Sequence, residues 1–216
     1  MKFIKNHLFL LSLVLVMVLD PFLEDYAFGT LISLLLLTLS IGLCIYVLSN
    51  NKSVFWTMII ISTPIIGFNY CALLFPTESL IAVQYISMSL LFFLYASFLF
   101  YLLVTLKRIS ISDISHAISV YLLIGIAFGF LYSFLEVIQP GSIVYQFDEG
   151  KEISGDMIYF SFVTLTTLGF GDILPINKIA KVVVMVEAVM GVLYIAIMIG
   201  RLVGISPLKS NEKDNQ

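Results

Sequence analysis

The stretch Thr-Leu-Thr-Thr-Leu-Gly-Phe-Gly-Asp-Ile-Leu-Pro occupies residues 164–175 and differs from the sequence on either side of it. It places two glycines, three threonines and an aspartate in a chain that is 60% hydrophobic and only 12% charged. This composition lies far outside that of a soluble globular domain and predicts an integral membrane protein. The charges lie at the ends of apolar runs and form no basic face, so nucleic acid is not expected as a partner.

Uncharged runs of about 20 residues are long enough to cross a bilayer as helices. Four runs contain no Asp, Glu, Lys or Arg, namely residues 27–48, 54–75, 79–106 and 117–135. A fifth run, residues 182–205, contains Glu187 and Arg201. A shorter first segment, residues 8–19, reaches adequate length if it begins near residue 3 and Lys5 extends toward the headgroups. The sequence therefore predicts six spans, although the first segment also has the charged start of a cleaved signal peptide.

Basic residues cluster on one side of these spans and acidic residues on the other. The basic residues are Lys2, Lys5, Lys52, Lys107, Arg108, Arg201, Lys209 and Lys213. The acidic residues at the opposite ends are Asp20, Glu24, Asp25 and Glu78. Because cytoplasmic loops carry the excess of Lys and Arg, both termini are predicted to be cytoplasmic, with the protein in the plasma membrane. The connection between the last two spans, residues 136–181, then lies on the outer side.

This connection contains a second apolar segment that is too short to cross a bilayer. Residues 156–166 are apolar and aromatic, and Gly169-Phe170-Gly171 and Pro175 follow them. A short helix followed by extended chain is typical of a re-entrant hairpin, which survives at membrane depth only when protein buries it or it lines a water-filled cavity. The two glycines allow backbone conformations that other residues disfavour. An extended strand here can therefore turn its carbonyl groups toward one axis.

The residues Thr166-Thr167-Leu168-Gly169-Phe170-Gly171-Asp172 resemble the selectivity filter of potassium channels, whose backbone carbonyls replace the hydration shell of K+. The resemblance covers residues 117–205 and includes the short preceding helix, Pro175 after the filter and one span on each side. Together with the count of apolar runs, it implies an all-α membrane protein with six transmembrane helices. A re-entrant pore helix and filter would lie between the last two, and four chains would assemble as a homotetramer, because a single filter segment cannot surround an ion.

The apolar runs and the resemblance together predict three parts in the chain. Residues 1–116 form a four-helix N-terminal transmembrane region whose role is open, residues 117–206 form the pore domain, and residues 207–216 form a short polar cytoplasmic tail. The expected elements of the pore domain are an outer helix 117–138, a pore helix about 155–166, a filter 167–171 and an inner helix about 176–205.

The resemblance also implies roles for individual residues, with K+ as permeant ion and no cofactor. K+ would be coordinated by backbone carbonyls, those of Thr167, Leu168, Gly169 and Phe170, and by the Thr167 hydroxyl. Gly171 would complete the filter. The C-terminal ends of the pore helices, near Thr164 and Thr166, would direct their negative dipole ends at a central cavity. Ile195 and Ile199 are expected to line that cavity.

Of two positions that support the filter in this family, one departs from the family pattern here and one matches it. Several members brace the filter with a glutamate on the pore helix, and the matching residue here is Val163. Tyr159 matches an aromatic donor for the filter aspartate, so we expect it to bond to Asp172; interface packing of its ring is the alternative. The acidic loop 148–152 either enriches cations at the outer mouth together with Asp172 or forms an ordinary solvated loop.

The last span contains two candidate functional residues. Gly191 falls where many members have a glycine that acts as a gating hinge, and close helix packing is the alternative. Glu187, one turn earlier, is an ionisable group within a span and therefore a candidate by default. Since it lies level with the filter, we expect it to bond to Thr164 or Thr166 of the pore helix and not to face the cavity.

The sequence thus predicts a potassium-selective channel that conducts K+ passively, with K+ and the lipid bilayer as partners. No catalytic or metal-binding cluster occurs in the sequence, so an enzyme is not expected. The fourth span, residues 79–106, carries no charge, and the ladder of basic residues that drives voltage gating is missing. A weakly selective monovalent cation channel and a non-conducting regulatory membrane subunit stay open as alternatives.

Overall fold

The computed structural model describes residues 2–23, 28–50, 52–105, 111–146 and 156–205. Seven α-helices lie within these residues: α1 Lys2–Leu23, α2 Gly29–Val47, α3 Lys52–Leu74, α4 Glu78–Thr105, α5 Ile111–Ile138, α6 Met157–Leu165 and α7 Lys178–Ile205. A short 3-10 turn, Leu48–Asn50, follows α2. Two three-residue strands, β1 Ile143–Tyr145 and β2 Ile173–Pro175, form a small antiparallel sheet. The protein is mostly helical, as predicted, and the sheet is an addition that the sequence did not predict.

Five helices in the described part of the chain are long and apolar enough to cross a membrane, namely α2, α3, α4, α5 and α7. The chain is therefore a multi-pass membrane protein. The first helix, α1, which the sequence predicts as a sixth span, is not among them. It is a continuous helix that packs against α2 and α5, and Phe9, Leu13 and Val16 are buried.

The helix α5 begins at Ile111 and not at residue 117, where the outer helix was expected to begin. It therefore runs through the expected boundary between the N-terminal region and the pore domain. Asp113 in its first turn stabilises this earlier start, because a negative charge interacts favourably with the N-terminal end of a helix. Further along, α5 packs against α4 through a stacked pair of rings, Phe92 and Phe130, whose centroids are 5.8 Å apart.

The short helix α6 lies between α5 and α7 and contacts both. It has nine residues, which is about 14 Å of helix at 1.5 Å per residue. A bilayer core is about 30 Å thick, so α6 is too short to cross it. Its bounds fall within the expected pore helix 155–166, and α7 begins two residues after the expected start at 176.

Candidate functional site

The segment that follows α6 alternates between two backbone conformations. Thr167, Gly169 and Gly171 have positive φ angles of 59°, 57° and 76°, whereas Leu168 and Phe170 between them do not. Positive φ is a rare conformation for a β-branched residue such as threonine. Strain of this kind persists only where the surrounding structure imposes it, and it concentrates at functional sites.

Backbone amides of this segment bond to the last turn of α6. The N–H of Thr167 donates to the Thr164 carbonyl at 2.9 Å, and the next two N–H groups both donate to the Val163 carbonyl, at 2.9 and 3.3 Å. Every peptide bond here is trans, and a trans peptide points its C=O opposite to its N–H. The carbonyls of residues 166–168 therefore point away from α6.

The side toward which these carbonyls point is open in a single chain. Residues 166–170 are exposed, and the side chains of Leu168 and Phe170 are 57% and 65% accessible. A Cβ built at Gly169 would meet nothing within 4 Å. One chain thus supplies one wall of carbonyl groups with open space in front of it.

Asp172 ends this segment and is held on both of its carboxylate oxygens. The Tyr159 hydroxyl donates to Oδ2 at 2.6 Å, and the Ile173 N–H donates to Oδ1 at 3.1 Å. The predicted hydrogen bond between Tyr159 and Asp172 is therefore confirmed, while its effect on the filter stays a prediction. This bond, helped by burial, raises the pKa of Tyr159 to about 12, so the phenol remains a donor at neutral pH.

A second carboxylate lies at the start of α6. Asp156 directly precedes the helix, and its pKa is raised first by burial and then by the negative charge of Asp172. The end of the site at Asp172 therefore carries two interacting acidic groups. The acidic loop 148–152 that was expected near this mouth lies outside the described residues.

The small sheet ties the chain after the filter to the end of α5. In it, Val144 of β1 lies opposite Leu174 of β2. The carboxylate of Glu136 accepts the N–H groups of Gly141 and Ile143 at 2.6 and 3.0 Å. Because β2 begins directly after Asp172, the sheet fixes where the filter segment ends.

Asn177 fixes the start of α7. Its Oδ1 accepts the Ala180 N–H at 2.7 Å, as an N-cap does. Its Nδ2 donates to the side chains of Gln139 and Ser142 at 2.8 and 2.5 Å. The inner helix is thereby attached to the loop that precedes β1.

Glu187 of α7 is completely buried and bonds to two other helices. Its carboxylate accepts hydrogen bonds from the hydroxyls of Tyr132 on α5 and Ser161 on α6. The prediction that Glu187 bonds to Thr164 or Thr166 is wrong. Ser161 and Thr164 are three residues apart and share one face of α6, so the contact falls one turn earlier on the expected helix.

Gly191 lies against the last turn of α6. A Cβ built there would be 2.1 Å from the carbonyl oxygen of Leu165. This contact supports close packing, the alternative to a hinge, and α7 is one continuous helix. The hinge itself stays a prediction. Ile195 and Ile199, expected to line a cavity, are exposed in a single chain at 45% and 57%.

Two glycines of α5 also bring α6 close, and the sequence prediction did not include them. A Cβ at Gly125 would be 2.7 Å from the Phe162 ring, and one at Gly129 would be 2.9 Å from the Ile158 backbone. Their four-residue spacing is the small-x-x-x-small pattern that permits close helix approach in membranes. This pattern was the available sequence signal. No comparable signal identified Ser161 as the partner of Glu187.

Residues 117–205 match a family model described as an ion channel. Neither the curated proteins nor the solved structures that were compared gave a match. The matched residues contain α6, the segment with alternating φ angles, α7 and most of α5. The match and this geometry together support an ion channel domain that conducts ions passively within a multi-pass membrane protein.

Proposed function

We propose that the protein is a potassium channel that conducts K+ passively through a selectivity filter shared by four copies of the chain. The observation that carries the proposal is the backbone of residues 166–171, in which the φ angles alternate and the carbonyls of residues 166–168 point away from α6. A row of carbonyls directed at one axis replaces the hydration shell of K+ as the ion enters. The channel acts in the plasma membrane, with both termini cytoplasmic, and is not gated by voltage.

In this proposal the filter residues bind the ion and their neighbours hold them in place. The ion sites are formed by the carbonyls of Thr167, Leu168, Gly169 and Phe170 and by the Thr167 hydroxyl, with Gly171 completing the filter. Support comes from Tyr159, Asp172, Thr164, Thr166 and Glu187. The negative end of the α6 dipole stabilises a cation in the central cavity, which Ile195 and Ile199 line.

The tetramer follows from the single filter segment in each chain. One wall of carbonyls cannot encircle an ion, so rotational symmetry has to supply the others. The helix α7 has an apolar surface available for such an assembly, since most of its apolar side chains are not buried in one chain. Lipid can cover an apolar helix as well as another subunit can, so the exposed surface of α7 does not argue for four copies. The argument for four copies is the single filter segment in each chain.

Flux through purified protein in liposomes tests the proposal. We expect K+ flux to exceed Na+ flux at least tenfold, and Gly169→Ala to abolish conduction or selectivity. The φ of Gly169 is +57° and the surrounding space is open, so the effect comes from backbone conformation, which disfavours a Cβ there by about 1–2 kcal/mol. Gly42→Ala is the matched control, because Gly42 lies in α2 and its Cβ would also meet nothing within 4 Å.

The same measurement separates the alternatives. Equal K+ and Na+ flux would support a weakly selective cation channel, and the absence of flux from an assembled protein would support a non-conducting subunit. A purified particle with a subunit number other than four would contradict the shared filter.

A further inference from the structure

A second cavity lies away from the filter, among α1 to α6. Its volume is about 120 Å³, whereas a cavity needs only roughly 10–15 Å³ to hold one water. Residues that line it include Asp20 of α1, Ser33 of α2 and Asn69 of α3. A polar-lined space of this size between membrane helices is larger than a packing defect. The cavity has room for a small molecule.

Asn69 brings an acceptor without a partner to this cavity. The side chain is completely buried, and its Nδ2 donates to the Ile65 carbonyl of its own helix at 2.7 Å. Its Oδ1 has no hydrogen-bond partner within the described residues. A buried acceptor left in this state destabilises the fold, and buried polar side chains normally find a partner. An occupant of the cavity that satisfies Asn69 has to offer a hydrogen-bond donor.

Asp20 gives the cavity a negative charge. Its carboxylate interacts with the Ser33 side chain, which is also a lining residue. None of the described residues that line the cavity is Lys, Arg or His. A carboxylate in a partly buried site without a basic neighbour favours a cation as its occupant.

The remaining lining residues distinguish between kinds of cation. Tyr85 and Phe130 both line the cavity, with ring centroids 6.3 Å apart, and aromatic faces attract ammonium groups. Hard divalent metals instead prefer several carboxylates. The described residues contain no group of three or more His, Cys, Asp or Glu that could hold a metal ion. Leu34 and Leu37 supply apolar walls for an alkyl group.

We propose that this cavity binds a small organic ammonium ion. Asp20 is its counter-ion, Asn69 Oδ1 accepts one of its N–H groups, and the aromatic and leucine side chains contact its alkyl part. Met157 and Ile158, the first two residues of α6, also line the cavity. An occupant therefore contacts the helix from which the filter segment continues.

Thermal unfolding of the purified full chain in detergent tests this proposal, with ethylammonium chloride as ligand and ethanol as its neutral counterpart of similar size. We expect a saturable rise in Tm with ethylammonium and none with ethanol at the same concentrations in NaCl. Asp20→Asn and Asn69→Leu should each raise the half-saturating concentration at least tenfold. Glu78→Gln removes an exposed carboxylate in the first turn of α4, away from the cavity, and should keep the wild-type value.

Each outcome decides the question. An unchanged half-saturating concentration in Asp20→Asn would place the ligand elsewhere, for example in the filter, and would overturn the proposal. No Tm rise in the wild type would overturn it too and would mean that water fills the cavity. If Asp20→Asn does not fold, Asn69→Leu decides, because it removes the acceptor and keeps the side-chain size. The readout is binding and not flux, so its result does not depend on channel activity.

Discussion

Polar side chains in the N-terminal helices and in the region from α5 to α7 find their hydrogen-bond partners in different ways. In α2 and α3 the hydroxyls bond mainly to their own helix, as Thr63 does to the Ile59 carbonyl, while Ser62 and Tyr95, 2.6 Å apart, form a cross-helix pair. Around α6, buried side chains bond to side chains of other helices. The carboxylate of Glu187 on α7, for example, bonds to both α5 and α6. A local bond satisfies a hydroxyl without fixing its neighbours, whereas a bond between elements specifies one arrangement. The filter region is therefore held by directional contacts.

The glycines show the same contrast. Gly42 of α2 and Gly67 of α3 have open space where a Cβ would be. Gly125, Gly129 and Gly191 have none, because each lies against α6 or its side chains. Among these five glycines, close approach to a neighbouring element therefore occurs only at α6. Substitutions at these glycines are the most direct way to test the difference between the two regions.

The largest effect is expected from Gly191→Ala. The added Cβ would lie 2.1 Å from the Leu165 carbonyl oxygen, and this neighbour is backbone, so the end of α6 has to shift. Overpacking of this kind costs about 1–3 kcal/mol and occasionally more. We expect a marked fall in Tm in detergent and loss of K+ flux in liposomes.

Gly200→Ala is the matched control in the same helix. Nothing lies within 4 Å of a Cβ at Gly200, and alanine is favoured over glycine in a helix by about 1 kcal/mol. This variant should be as stable as the wild type or slightly more stable. Equal Tm values for the two variants would show that α7 does not approach α6 as described.

A smaller effect is expected when Glu187 is changed. Glu187→Leu leaves the Tyr132 and Ser161 hydroxyls without their carboxylate acceptor, whereas Glu187→Gln keeps one carbonyl acceptor. A buried polar group that loses its partner costs about 1–3 kcal/mol. Glu187→Leu should therefore unfold at a lower temperature than Glu187→Gln. If both unfold alike while single-channel conductance falls in both, Glu187 instead acts as a charge facing the ion path.

How far the site could be predicted differs from residue to residue. The bond between Tyr159 and Asp172 was predictable, because a helix followed by a returning strand brings the start of one level with the end of the other. The partners of Glu187 were not. Which face of α7 meets α6 depends on the rotation of both helices, and packing at Gly125 and Gly191 sets that rotation. Sequence spacing fixes the level of a residue along a helix, not the direction it faces.

The elements of the fold also differ in how far the sequence could predict them. The long apolar helices were predictable, because the thickness of the bilayer sets their length. The start of α5 at Ile111 was not, since polar residues in its first turns are compatible with either helix or loop. The strands β1 and β2 have three residues each. Such a length is too short to show the alternation by which strands are recognised in a sequence.

A modest effect is expected from Tyr159→Phe, which removes the donor to Asp172. The bond is partly exposed to solvent, so its loss should cost about 0.5–1.5 kcal/mol, toward the lower end. We expect a small fall in Tm and faster loss of K+ flux with time, since the outer end of the filter segment is less well held. Tyr101→Phe on α4 is the control, because that side chain is 63% exposed.

The same bond predicts a pH dependence. The pKa of Tyr159 is raised from 10.0 to about 12, first by the hydrogen bond to Asp172. A group with a raised pKa in the folded state adds stability below its unfolded pKa, here near pH 10, and the contribution is lost as pH rises through about 12. The difference in stability between wild type and Tyr159→Phe should therefore be constant near neutral pH and shrink above pH 10. A difference that is absent throughout would mean that the pairing carries no weight.

The smallest effect is expected from membrane voltage, because within the described residues α2, α3 and α4 carry no charged residue beyond their first turn. In α4, Glu78 is the acidic residue of the first turn and the last turn has no basic residue, while Lys107 and Arg108 lie outside the described residues. Moving one elementary charge through the whole field is worth about 2.3 kcal/mol per 100 mV, and steep gating needs several charges in each subunit.

We therefore expect open probability in planar bilayers to change only weakly with voltage, with any dependence arising from ion occupancy of the filter. Replacing both Lys107 and Arg108 with Gln should leave this weak dependence unchanged, because in the sequence both residues follow the uncharged run 79–106 and none of the charge lies within it. A steep conductance–voltage curve with measurable gating currents, reduced in that double variant, would show that these residues move through the field. The N-terminal helices would then be a voltage sensor and not a packed bundle beside the pore.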